Sequence, residues 1–179
     1  TSEQRRQAKI VNYGIMYGAG PFRMAQELNI NMAESKKIID NYFSTYKSIR
    51  DYIDSNIELA KDRGYVKTYF GRKRNTINLK SSNANIVNAE KRAAVNMPIQ
   101  GTAAELIKIA MLNIRNVMKE NKLESKMILQ VHDELLFEVP INEEKIMFEM
   151  IIDKMENSVK FDIPLKVDCK IGDNWYDIH

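Results

Sequence analysis

Arg5, Lys9, Tyr13 and Tyr17 recur at intervals of four near the start of the chain. On a helix of 3.6 residues per turn, that interval draws a slowly drifting stripe along one side. Two cations followed by two aromatic rings make a ladder for a nucleoside triphosphate, because Arg and Lys bind phosphates and an aromatic face lies against sugar or base. A solvated basic face with two half-buried tyrosines fits the same spacing. A second constellation, His132-Asp133-Glu134, interrupts the apolar stretch 127–139. The two flanking runs are short, bounded and rich in branched or aromatic residues, which predicts strands and makes the polar triplet the tip of a β-hairpin. A buried ribbon ending in two carboxylates and an imidazole would hold charge at the floor of a cleft. Adjacent carboxylates suit a hard, oxygen-seeking cation such as Mg²⁺. Asp is equally common in plain turns, where its side chain bonds nearby backbone.

Two further groups carry polar chemistry. Arg92, Asn96 and Gln100 are again four apart, among the small residues Ala93, Ala94, Gly101, Ala103 and Ala104. Such side chains reach base-edge acceptors, and small neighbours let a duplex come close; a polar stripe on a helix that packs through alanines has the same pattern. Arg72-Lys73-Arg74, beside Tyr69 and Phe70, suits a phosphate backbone or a solubilising loop.

A helix is predicted over 1–17, capped by Ser2 with Glu3 in its first turn, where negative charge is favoured. Gly14 and Gly18 each cost a helix interior about 1 kcal/mol against Ala, so they signal close approach of another chain segment or a mobile end. Gly18 to Pro21 stop the helix. A short helix over 22–31 precedes one or two long helices over 33–63, begun by Asn31 or Ala33 and packing by one face. Residues 64–71 read as a short strand or hairpin. Ser81, Ser82 and Asn83 offer caps for a helix to about residue 121, which Pro98 is expected to kink between Val95 and Gly101. After the 127–139 hairpin comes an amphipathic helix over 142–159 with Ile146, Met150, Ile151 and Met155 inward. A last strand over 164–171 then carries Leu165, Val167, Cys169 and Ile171 on one face, and Trp175 anchors the tail. The fold class is α+β.

The chain has 179 residues, 44% of them apolar and 28% charged, ordinary values for a globular protein. A net charge of +3 is too mild to argue polyanion binding from the total. One cysteine, Cys169, excludes an internal disulfide and fits a reducing compartment. With only His132 and His179 beside it, a Cys/His zinc site is not available. No apolar run approaches the ~18–20 residues of a membrane span. The start has neither an initiator Met nor an apolar signal region, so a fragment of a longer protein is expected.

The segment Arg5-Arg-Gln-Ala-Lys9-Ile-Val-Asn-Tyr13-Gly-Ile-Met-Tyr17-Gly resembles motif B of family A DNA polymerases, the O helix of their fingers. Leu129-Gln-Val-His-Asp-Glu-Leu resembles motif C of their palm. Gly64-Tyr-Val…Gly71-Arg-Lys-Arg, the stretch from Arg92 to Ala104 and the terminal Gly-Asp-Asn-Trp-Tyr-Asp-Ile-His are similar to further family segments, in the family's order. The resemblance implies a mainly helical fingers portion over 1–80 and the C-terminal part of a palm over 81–179. It implies template-directed DNA synthesis from dNTPs on a primer-template, with two Mg²⁺ ions. Asp133 and Glu134 would hold metal. Arg5 and Lys9 would hold the triphosphate, Tyr13 would pack on the incoming sugar and base, and Tyr17 would sit by the templating base. Arg92, Asn96 and Gln100 would touch primer and template in the minor groove, His132 would lie beside the primer terminus, and Arg72 and Arg74 would meet DNA. The acidic tip and the cationic helix are expected to confront each other across one groove.

Three departures qualify this. Motif A, with the other metal-binding aspartate, lies upstream of motif B and is absent with the thumb, so the chain alone is expected to be inactive and to need the upstream part of its own polypeptide. The family often has Phe at Tyr13, which implies ready acceptance of dideoxynucleotides. Val87 and Lys91 stand where relatives usually carry Arg and Glu. A bacterial, cytoplasmic parent is expected; an organellar or phage source, and the oligomeric state, stay open. The rival readings are a nucleotide- or nucleic-acid-binding module without catalysis, a His-Asp phosphohydrolase short of histidines, and a helical scaffold.

Overall fold

The computed structural model describes residues 1–178. It is an α+β chain, mostly helical, with two separate two-stranded antiparallel sheets. The chain divides into two compact units, Thr1–Thr102 and a second beginning at Ala103. Among the described residues, no helix is long and apolar enough to cross a membrane.

The first unit opens with α1 (Ser2–Met16). Thr1, not Ser2, is its cap: the Thr1 hydroxyl accepts from the Gln4 N–H and Gln4 reaches back, a capping box set one residue earlier than expected. Tyr17 closes α1, and Gly18 follows at φ +70°, the left-handed turn that lets the chain leave. Pro21 starts α2 (Pro21–Leu28), where its missing N–H costs nothing. Asn31 caps α3 (Met32–Thr45), and the break at Tyr46 separates it from α4 (Lys47–Arg63). Ile15, Met24 and Leu28 form one core, with Ile38, Ile39, Tyr42 and Phe43 of α3 packed on it. The close approach signalled by Gly14 is that of α2: a Cβ there would stand 2.9 Å from Met24 Cε.

Gly64 ends α4 at φ +74° and leads into β1 (Tyr65–Lys67), which pairs with β2 (Lys73–Asn75). The long helix α5 (Ala84–Glu120) begins where Asn83 accepts from the Asn85 N–H. Pro98 lies inside it, and the unit boundary falls four residues later. Tyr52 of α4 donates to the Val95 carbonyl at 3.2 Å, in the stretch that Pro98 deprives of a donor. Ala60, Val66 and Ala94 make the second core.

In the second unit, β3 (Lys126–Val131) and β4 (Glu134–Glu138) form the expected hairpin, with Ile128 as a bulge between the Met127–Phe137 and Leu129–Leu136 pairs. The ribbon is not buried. Met127, Leu135 and Phe137 pack on the core of Ile114, Met147 and Ile151, while Ile128 and Leu129 are 52% and 43% exposed. A two-stranded sheet can bury only the face that meets a helix. Glu143 clasps the hairpin's entry, accepting from the N–H groups of Glu124 and Ser125 and from the Ser125 hydroxyl. The helix α6 (Glu144–Glu156) turns Met150, Ile151 and Met155 toward the core as expected, but Met147 is buried there in place of Ile146, which is 47% exposed. Residues 164–171 form no strand. Their alternation is real, since Leu165, Val167 and Cys169 are half-buried between exposed neighbours. Alternation sets which side is covered, but a strand also needs a ladder partner. The segment is instead tied to α6, where Glu156 accepts from the Val167 N–H at 3.1 Å. Trp175–Ile178 form a last short helix, α7.

Candidate functional site

The cleft between α1 and α2 encloses about 320 Å³ and is lined by Lys9, Tyr13 and Tyr17 with Arg6, Arg23 and Glu27. Three members of the expected ladder therefore meet on one surface, with Tyr13 62% exposed and Tyr17 46%. Arg5 is exposed but does not line this cleft; the four-residue spacing drifts around the helix, and Arg6 takes the place beside Lys9. Arg6 is engaged by Glu3 through Nε and Nη2, a surface pair worth little. Arg23 and Glu27, bonded at 2.7 Å, were not expected here; their only signal in the sequence is the i,i+4 charge pair on α2.

The polar stripe of α5 meets the end of α1. Gln100 Nε2 donates to the Tyr17 hydroxyl at 2.8 Å, and a Cβ on Gly18 would lie 2.9 Å from Arg92 Cγ. Gly18, just past the end of α1, is thus where the Arg92 stem lies across the chain. Arg92 and Gln100 are exposed and Asn96 is half-buried.

The basic turn splits into two roles. Arg72 is exposed, its N–H held by the Thr68 hydroxyl at 3.1 Å. Arg74 turns inward and pairs with Glu90, whose side chain is only 3% exposed. That guanidinium holds a buried carboxylate, so any contact with DNA would have to be shared with Glu90. Their 16-residue separation gave no helical or strand signal.

In the second unit, His132 and Asp133 are the two turn residues of the β3–β4 hairpin, with Val131 facing Glu134 as the last pair. His132 takes φ +52°, a conformation two-residue turns usually give to Gly, Asn or Asp. Its carbonyl accepts from Gln130 Nε2 at 3.0 Å. His132, Asp133 and Glu134 are all exposed, and both carboxylate residues line an open trough of about 800 Å³. Asp168 and Asp173 line the same trough, along with Cys169, whose thiol pKa burial pushes up. These two acids were missed because they sit in what reads as a plain strand and tail. Among the described residues no group of three or more His, Cys, Asp or Glu converges on one metal position. The donor chemistry of Asp133 and Glu134 still fits Mg²⁺, which takes one or two carboxylates and fills its shell with water and phosphate oxygens.

A family model described as DNA polymerase family A matches residues 1–177. DNA polymerase I of Caldicellulosiruptor bescii is 44% identical over 99% of this chain and 21% of its own length. DNA polymerase I of Bacillus subtilis is 42% identical over 99% of the chain and 20% of its own length. Among solved structures, the POL domain of Pol1 from M. smegmatis, in complex with DNA primer-template and dNTP, matches with a TM-score of 0.89 and 40% identity, covering 93% of this chain and 29% of that one. The chain spans about a fifth of the length of the curated relatives it matches. With a family model running over nearly its whole length, the chain belongs to DNA polymerase family A.

Proposed function

We propose that this chain is part of a bacterial, cytoplasmic DNA polymerase I-like enzyme that adds dNTPs to a primer 3′-OH on a DNA template. Residues 1–80 are its fingers portion and 81–179 the C-terminal part of its palm. The observation that carries this reading is the shared cleft of Lys9, Tyr13 and Tyr17, a cation and two exposed rings on one helix of a family A chain. The M. smegmatis relative, whose complex holds primer-template and dNTP, supports the same ligands here.

In this reading Arg5 and Lys9 hold the triphosphate, with Arg6 and Arg23 adding positive potential along the cleft. Tyr13 supplies a flat face for the incoming sugar and base, and Tyr17, whose hydroxyl accepts from Gln100 in the free chain, sits by the templating base. Arg92, Asn96 and Gln100 contact minor-groove acceptors, which every correct pair presents in the same places, so they test pair shape without reading sequence. Arg72 binds backbone phosphate; Arg74 does so only while also holding Glu90. His132 lies at the primer terminus. Asp133 and Glu134 would hold Mg²⁺, two ions in the complete enzyme, with the remaining carboxylate supplied by the upstream part of the polypeptide. Bound metal would activate the attacking hydroxyl and stabilise the leaving oxygen.

Single-nucleotide extension of a primed template separates the parts of this reading. The 179-residue chain alone should give no product, and the enzyme joined to its upstream segment should give Mg²⁺-dependent product. Lys9→Ala in that enzyme should weaken dNTP binding about tenfold or more, the scale of a lost charge-assisted contact. Tyr13→Phe should restore discrimination against dideoxynucleotides. Robust extension by the isolated chain, or indifference of dNTP binding to Lys9, would reject it. Binding of DNA and nucleotide by the joined enzyme without turnover would favour a binding module instead.

A further inference from the structure

Pro98 has no N–H to offer the Ala94 carbonyl, yet α5 runs on from Ala84 to Glu120. Two side-chain hydroxyls bond to carbonyls of the interrupted turn. From α4, the Tyr52 hydroxyl donates to the Val95 carbonyl at 3.2 Å. From within α5, the Thr102 hydroxyl donates to the Pro98 carbonyl, and it accepts the Tyr69 N–H at 2.9 Å. The Thr68 methyl closes on Gly101, where a Cβ would stand 2.6 Å from it. The turn is therefore braced from neighbouring elements where its own backbone ladder is short of a donor.

Tyr52 is itself held in place. Its carbonyl accepts from Asn56 Nδ2 at 2.8 Å, and α4 packs on α5 through Ala60 and Ala94, which share one core. Burial pushes the pKa of its phenol up, so the hydroxyl keeps its proton and stays a donor. The atom it grips matters. The Val95 carbonyl and the Asn96 N–H belong to one planar peptide unit, from which the Asn96 side chain leaves at the next carbon. A donor fixed on the Val95 oxygen therefore limits how that plane can tilt. Val95 is 4% exposed, while Asn96 is half-buried and Arg92 and Gln100 are exposed. The restraint is applied from the protected side of the helix and is felt on the polar stripe.

We propose that Tyr52 is a positioning residue for the minor-groove stripe, its hydroxyl fixing the Val95–Asn96 peptide so that the Asn96 amide meets a base-edge acceptor. Tyr52 acts through Asn96 and needs no contact with DNA of its own. This role rests on the reading of Arg92, Asn96 and Gln100 as minor-groove contacts and adds to it the residue that aims one of them.

The test uses the enzyme joined to its upstream segment and measures extension rates on matched primer-templates. Adenine is replaced, one position at a time along the duplex end, by 3-deazaadenine, which carries C–H where adenine has its minor-groove N3 acceptor. At the position that Asn96 meets, the unsubstituted enzyme should slow about five- to tenfold, the scale of one hydrogen bond. Asn96→Ala should abolish that response, which identifies the position. Tyr52→Phe keeps the ring and removes only the hydroxyl. It should extend the ordinary primer about five- to tenfold more slowly and respond to 3-deazaadenine by less than about twofold, because the contact is already lost. A purely structural hydroxyl would slow ordinary and modified primers by the same factor. An undiminished response in Tyr52→Phe therefore overturns the positioning role, and so does an ordinary primer extended at the unsubstituted rate. Absence of any responsive position in the unsubstituted enzyme would sink the minor-groove reading itself, and Tyr52's role with it, before any variant is made.

Discussion

The Gln100 side-chain amide donates to the Tyr17 hydroxyl at 2.8 Å, joining residues 83 apart in sequence. One partner ends the cation–tyrosine helix, and the other belongs to the polar stripe of α5. Both groups have other work in the proposed reaction, so in the free chain each occupies the other's polar atom.

That bond is exposed and should contribute modestly. Tyr17→Phe and Gln100→Ala, singly and together, should give a coupling energy of about 0.5 kcal/mol in urea unfolding of the chain, at the lower end for a net hydrogen bond. Additive effects of the two substitutions would mean that the contact does not hold the two segments together.

Arg74 and Glu90 behave differently, because the carboxylate is nearly closed off from water. Removing its partner leaves a buried charge. Arg74→Ala should destabilise the chain by about 3 kcal/mol, the low end for a broken buried pair because Arg74 itself is 39% exposed. Arg72→Ala, on the same turn but facing solvent, should cost well under about 1 kcal/mol. Equal costs in thermal or urea unfolding would refute the division of the basic turn into one arginine that holds a buried carboxylate and one that is exposed.

The second unit carries a pH dependence. Hydrogen bonds from the Ser125 hydroxyl, then from the Glu124 and Ser125 N–H groups, hold the Glu143 carboxyl below its ordinary value of 4.5. A carboxylate depressed in the folded state stabilises fully above its unfolded pKa. That contribution fades as pH falls from 4.5 through the folded value. Glu143→Gln should therefore lower stability near pH 7 and flatten the acid limb of a stability–pH curve. An acid limb of unchanged steepness would show that other groups set it.

These relationships divide cleanly by what a linear sequence can carry. Asn31 and Gly64 act on their immediate neighbours, and their helix boundaries were legible from residue type alone, whereas Pro21, expected among the residues that stop the first helix, begins the second. The hairpin at 126–138 was legible because its two strands are adjacent in sequence and joined by two residues. The pairing of Arg74 with Glu90, the seat of Arg92 on Gly18 and the entry of Arg23 into the cleft between α1 and α2 depend on how helices cross, which no local pattern encodes. The alternation at 164–171 told which side chains are covered but not whether a neighbouring backbone completes a ladder. Ile146 and Met147 are both apolar and adjacent, so which of the two turns inward was set by the core that α6 meets rather than by composition.

His132 holds φ +52° in a two-residue turn where glycine would be unstrained. A non-glycine residue there costs about 1–2 kcal/mol, while glycine would give back about 0.4–1 kcal/mol through a more disordered unfolded chain. His132→Gly should therefore stabilise the isolated chain by a net of about 0.5–1 kcal/mol in urea unfolding. If the imidazole serves the primer terminus, the same substitution in the complete enzyme should slow primer extension, so stability and rate should move in opposite directions. A substitution that leaves extension untouched while raising stability would make the strained histidine an accident of the turn. One that lowers stability would show that the imidazole, despite its exposure, is held by contacts worth more than the backbone strain.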